Sequence, residues 1–181
     1  MIRKNLILVV TLLSLPFFRG PSVAASGLIG SEAPYFRVQG GDDKEMALDM
    51  IKGKVILIFY ESKDIVESNK ILKAELTKLY YEQTKAVKEV LVRLPIVDCS
   101  KAAWPFVGTW KRKLREHSTK EGVVIYCDWS GKMFSDYKIK ADKNNIFIID
   151  KSGRIRFFTS GEIHAEEINN VKELLKALAG E

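Results

Sequence analysis

Lys52-Gly53-Lys54-Val55-Ile56-Leu57-Ile58-Phe59-Tyr60 is the stretch on which the fold turns. Six consecutive apolar, mostly β-favouring residues after a Gly-containing turn predict a central parallel strand buried on both faces, because a half-exposed strand would alternate. Immediately downstream, from Asp64, the period changes. Ile65, Leu72, Leu76, Leu79 and Tyr80 recur at helical offsets among Lys, Glu, Asn and Thr, which predicts an amphipathic helix.

Working outward, Val90 to Cys99 reads as the next strand, and Pro95 within it removes a ladder donor, so a bulge or an edge position is expected there. Trp104 to His117 reads as a loop running into a basic helix. Val123 to Cys127 reads as a further buried strand, followed by a turn at Ser130-Gly131. Asn145 to Asp150, the turn Lys151-Ser152-Gly153 and Arg154 to Phe158 form an antiparallel hairpin. His164 to Leu178 closes the chain as a helix, with Ile168, Val171, Leu174, Leu175 and Leu178 at core spacing and Gly180 beyond its end. On the N-terminal side, Tyr35 to Val38 is a short extended segment before a Gly40-Gly41 pair and an acidic turn. The expected class is α/β: a central mixed sheet flanked by helices, with a C-terminal hairpin and helix.

Residues 1–25 read as an export signal. Arg3 and Lys4 supply the positive start, Leu6 to Phe18 an apolar core too short to span a membrane comfortably, and Ser22-Val23-Ala24-Ala25 a small-residue cleavage site. An uncleaved anchor is the other reading of the same segment. Cleavage near Ala25-Ser26 would place residues 26–181 in the periplasm as one domain, long enough to bury about 70% of the surface its unfolded chain exposes.

Composition narrows the chemistry. Two Cys and two His (His117, His164) in 181 residues exclude a four-Cys zinc module and argue against a His-based metal site, so no metal or cofactor is expected. The formal charge of +6 falls to about +3 once Arg3, Lys4 and Arg19 leave with the signal. That mild excess, with the basic residues of Lys111-Arg112-Lys113-Leu114-Arg115 in one compact run, does not predict nucleic-acid binding.

Three stretches resemble the thioredoxin-like superfamily in its redoxin and TlpA-type form: Gly30-Ser31-Glu32-Ala33-Pro34-Tyr35-Phe36, Leu48 with Lys52 to Tyr60, and Phe147-Ile148-Ile149-Asp150-Lys151-Ser152-Gly153-Arg154-Ile155. Signal segment, length and missing cysteines most resemble the periplasmic YtfJ-like group. The resemblance implies a thioredoxin-like fold and a Cys-x-x-Cys at the start of the helix after the central strand, where the helix dipole lowers the thiol pKa. Here those positions hold Asp64-Ile65-Val66-Glu67. Carboxylates cannot exchange with a disulfide. The pair reads either as a capping box or as paired acids for acid/base work, and a helix N-terminus, which lowers carboxyl pKa values, favours the first.

The resemblance also implies a cis-proline before the closing hairpin, and Asn144 stands in its place. Asn144-Asn145 reads as a turn or as amides presented to a peptide edge. Cys99 and Cys127, at the ends of expected parallel neighbours, are either a disulfide or two separate buried thiols. Trp104, Phe106 and Trp110 read as packing of a satellite helix or as an exposed patch for a periplasmic protein, with Lys111, Arg112, Lys113 and Arg115 attracting an acidic surface or anionic lipid headgroups. Two functions follow: an exported binding or accessory protein without a redoxin-position dithiol, or a redox protein that uses Cys99 and Cys127 as its pair.

Overall fold

A computed structural model describes residues 27–62, 69–102 and 104–180. The elements are β1 (Arg37–Gly40), β2 (Glu45–Ala47), a 3-10 turn (Leu48–Ile51), β3 (Val55–Glu61), α1 (Lys70–Glu82), α2 (Lys85–Val90), β4 (Leu91–Asp98), α3 (Val107–Glu121), β5 (Tyr126–Asp128), α4 (Lys132–Asp136), β6 (Asn145–Ile149), β7 (Ile155–Ser160) and α5 (Ala165–Gly180). They build one seven-stranded sheet in the order β2-β1-β5-β4-β3-β6-β7. β3, β4 and β5 are parallel, while β6 runs antiparallel to β3, and β7 to β6.

β3 is central, and all seven of its residues are buried. Its alternation divides the core. Ile56, Ile58 and Tyr60 face one layer with Phe36, Leu94, Ile96, Met133, Tyr137, Phe147 and Ile149. Val55, Leu57 and Phe59 face the other, where Leu72, Leu76 and Leu79 of α1 meet Ile168, Val171, Leu175 and Leu178 of α5. Each helix buries the stripe its periodicity marks, and burying the stripe rather than intrinsic propensity holds such a helix in place.

The N-terminal and C-terminal motifs meet. Gly30 N–H donates to Ile155 O (2.7 Å), Ile155 N–H to Ser31 O (3.0 Å) and Ala33 N–H to Gly153 O (2.8 Å). The turn they embrace is organised by Asp150, whose Oδ1 accepts from Ser152 N–H (2.9 Å), Ser152 Oγ (2.6 Å) and Arg154 N–H (2.9 Å).

The structure meets the edge expectation at Pro95 and corrects several others. Pro95 lies in the interior strand β4, paired with Phe59 in an unbroken register from Val55↔Leu91 to Glu61↔Val97. β5 reaches β4 only from Ile96 onward, so Pro95 falls just before the stretch where β4 is covered on its second edge. The segment expected over Tyr35 to Val38 is a hairpin of β1 and β2, turned by Asp43 in the left-handed region (φ 66°) with Lys44 N–H bonded to Asp42 Oδ1. β5 is shorter than Val123 to Cys127, α5 continues through Gly180, and α2 and α4 are additional short helices.

Candidate functional site

The parallel strands end side by side, with Glu61 opposite Val97 and Asp98 opposite Asp128. Sites of open α/β sheets gather at such ends. The two cysteines are joined there. Cys127 sits within β5 and Cys99 just past β4, and the parallel register brings their Cα atoms to 5.6 Å, inside the window for a disulfide. The bridge is buried, with 1% of Cys99 and none of Cys127 exposed. Leu114 and Trp110 of α3 cover it together with Val97, Ala102, Ile125 and Trp129.

Beside the bridge lies a buried polar group that the sequence reading did not single out. Tyr60 donates its hydroxyl hydrogen to Asp128 Oδ2 (3.1 Å), which also accepts Phe134 N–H (3.1 Å), while Ser130 Oγ donates to Oδ1 (3.0 Å). Burial, and secondarily the charges of Asp128 and Asp98, push the Tyr60 hydroxyl far above the ordinary phenol range. On the opposite sheet face Glu61 meets Lys73 of α1 at 2.7 Å, and burial raises the Glu61 pKa against the pull of that ammonium. A polar residue directly after an apolar run, as Glu61 follows Tyr60, was the available signal.

Asp64 and Glu67 lie outside the described residues. The residue capping α1 is Asn69, in the left-handed region (φ 56°). Its side chain turns away from the helix, donating to Gly161 O (3.0 Å) and accepting Ile163 N–H (3.0 Å), which ties the start of α1 to the segment after β7.

Asn144 and Asn145 part company. Asn145 clamps a turn: its amide nitrogen donates to Lys140 O (3.0 Å) and Lys143 O (2.8 Å), and its oxygen accepts from Lys140 N–H and Ser160 Oγ. Asn144 is 2% exposed with both amide atoms unpartnered, and its backbone oxygen accepts from Gly161 N–H (2.8 Å). The cis X-Pro peptide among the described residues is Trp104-Pro105, in the aromatic loop, not before β6. Tyr60, Ser62, Asp98, Ser100 and Asn145 line an open cleft of about 210 Å³, and Cys127, Tyr35, Trp129 and Met133 line a second of about 310 Å³.

The aromatic residues separate as well. Trp110 packs on the disulfide, whereas Trp104 is 88% and Phe106 62% exposed. Lys111 pairs with Asp43, and Arg115 Nη1 donates to Gly41 O at 2.5 Å, which fastens α3 to the β1–β2 turn. Gly41 is required by this approach, since a Cβ there would lie 2.5 Å from Lys111 O. Arg112 reaches Glu116 only at 3.8 Å.

No family model matches the chain, and no curated protein sequence matches it. Solved structures do. The exposed lipoprotein thioredoxin of Streptococcus pneumoniae is 21% identical with a TM-score of 0.57, the match covering 80% of this chain and all of that one. BsSco, a member of the Sco family of cytochrome c oxidase assembly proteins, is 13% identical with a TM-score of 0.58, covering 83% and 94%. The reduced 2-Cys peroxiredoxin of Plasmodium vivax is 15% identical with a TM-score of 0.56, covering 83% and 97%. The chain therefore has a thioredoxin-like fold of the redoxin type, with its two cysteines joined in a disulfide.

Proposed function

We propose that this chain is an exported, YtfJ-like protein of the thioredoxin fold that has given up dithiol exchange at the redoxin position and serves in the periplasm as a binding or accessory protein. The observation that carries the reading is the placement of its sulfur. The redoxin spacing holds Asp64 and Glu67, and both cysteine sulfurs of the chain are bonded to each other beneath α3. Fold alone assigns no activity, and a site without an accessible thiolate has no nucleophile for a mixed disulfide. Tyr60, Asp128, Glu61 and Lys73 then have a structural role, holding the ends of the strands in register.

The competing reading, exchange through Cys99–Cys127, has one observation in its favour: Cys127 lines the larger open cleft. Insulin reduction separates the two. The proposal expects no turnover with dithiothreitol as the reductant. Turnover abolished by Cys99→Ala or Cys127→Ala would establish the competing reading, and turnover surviving both substitutions would overturn each of them.

A further inference from the structure

We propose that the Trp104-Pro105-Phe106 turn and the outward cations beside it form a docking surface for an anionic lipid bilayer. From Cys99 to Arg115 the sequence holds five cations and no acid. The fold sorts those cations. Lys111 turns inward to Asp43 and over the Trp129 ring at 5.9 Å, and Arg115 reaches Gly41 O. Lys101, Arg112 and Lys113 are exposed, and the Arg112–Glu116 contact is long and solvated on both sides.

The two aromatic side chains that flank Pro105, in the same segment as these cations, are 88% and 62% exposed. Their base is firm. The disulfide pins the start of the segment to the sheet, and α3 seats Trp110 and Leu114 on the sulfurs. Neither of the two clefts at the strand ends includes Trp104 or Phe106. An exposed Trp and Phe in a segment whose charges are all Lys and Arg match the headgroup layer, where Trp rings settle and anionic phosphates attract cations without fixed geometry.

The test uses the full chain and vesicles of phosphatidylglycerol or phosphatidylcholine, read by co-sedimentation and by quenching of tryptophan emission with bromine-labelled lipid. If the apolar stretch Leu6 to Phe18 is retained, Arg3 and Lys4 beside it would themselves favour phosphatidylglycerol, so the deciding readout is the difference between the parent and its variants. Expected are preference for phosphatidylglycerol and weakening with salt. A loss of about tenfold or more in Trp104→Ala/Phe106→Ala and in Arg112→Glu/Lys113→Glu is expected too, with Trp104→Phe retaining most binding. All four side chains are solvent-facing, so circular dichroism and the unfolding midpoint should not change. Equal binding to both lipids, variants that bind phosphatidylglycerol like the parent, or a protein that binds no vesicle would each overturn the proposal.

Discussion

The Tyr60 hydroxyl reaches across β4 to the buried carboxylate of Asp128 on β5 at 3.1 Å, so one hydrogen bond links the strand at the centre of the sheet to the strand that carries Cys127. Tyr60 is 1% exposed, and its partner keeps only Phe134 N–H and Ser130 Oγ if the hydroxyl is lost. Tyr60→Phe should cost about 1.5–3 kcal/mol, the range for a hydrogen bond to a charged group, read from urea unfolding. Because burial and the neighbouring acids hold the hydroxyl protonated, alkaline titration should show no tyrosinate from Tyr60 until the protein unfolds.

Glu61 gives a pH dependence with the opposite sense to most acids. Burial raises its folded pKa above the ordinary 4.5, so the native state holds its proton more tightly than the unfolded chain. Stability from this group is complete below the ordinary value and is lost as pH rises through the raised one. Unfolding free energies measured at a series of pH values should decline across that window, and Glu61→Gln should remove the decline.

Asp150 behaves the other way. Burial opposes its ionisation, yet hydrogen bonds from Ser152, Arg154 and Arg156 hold its pKa below the ordinary 3.8. Its contribution is present above that value and disappears as pH falls through the depressed one. Asp150→Ala frees two backbone N–H groups of the turn that docks the N-terminal segment, and should destabilise by about 2–4 kcal/mol at neutral pH, with a smaller difference in strong acid.

What the sequence revealed was its strong periodicities: the buried run of β3, the stripes of α1 and α5, the β6–β7 hairpin. Elements that bury little left no such pattern. α2 buries no residue and starts at a Thr84 cap, and α4 is five residues long after Gly131 in a left-handed conformation. Pro95 was legible too, since the edge position it called for is the part of β4 that β5 stops short of. At the site, the cysteine pair was legible as a possibility, since parallel register was implied by topology. The covering of that pair was not: Trp104 and Trp110 lie six residues apart, and only the position of α3 decides that one packs on sulfur while the other faces water.

Removing the bridge should be expensive. With 28 residues of separation, its chain-entropy contribution is about 3.5 kcal/mol, so Cys99→Ala/Cys127→Ala should lose roughly that amount in urea unfolding. The aromatic loop and α3 should be the first segments to gain hydrogen exchange, because Trp110 and Leu114 rest on the sulfurs.

Thiol labelling of the native oxidised protein under graded reduction tests the central claim most directly. A buried staple predicts no label without reductant, none under mild glutathione, and two labelled thiols only under strong reductant or when denaturant exposes the bridge to a reductant. Rapid opening by glutathione, with re-formation on its removal, would contradict the account and make Cys99–Cys127 an exchanging pair.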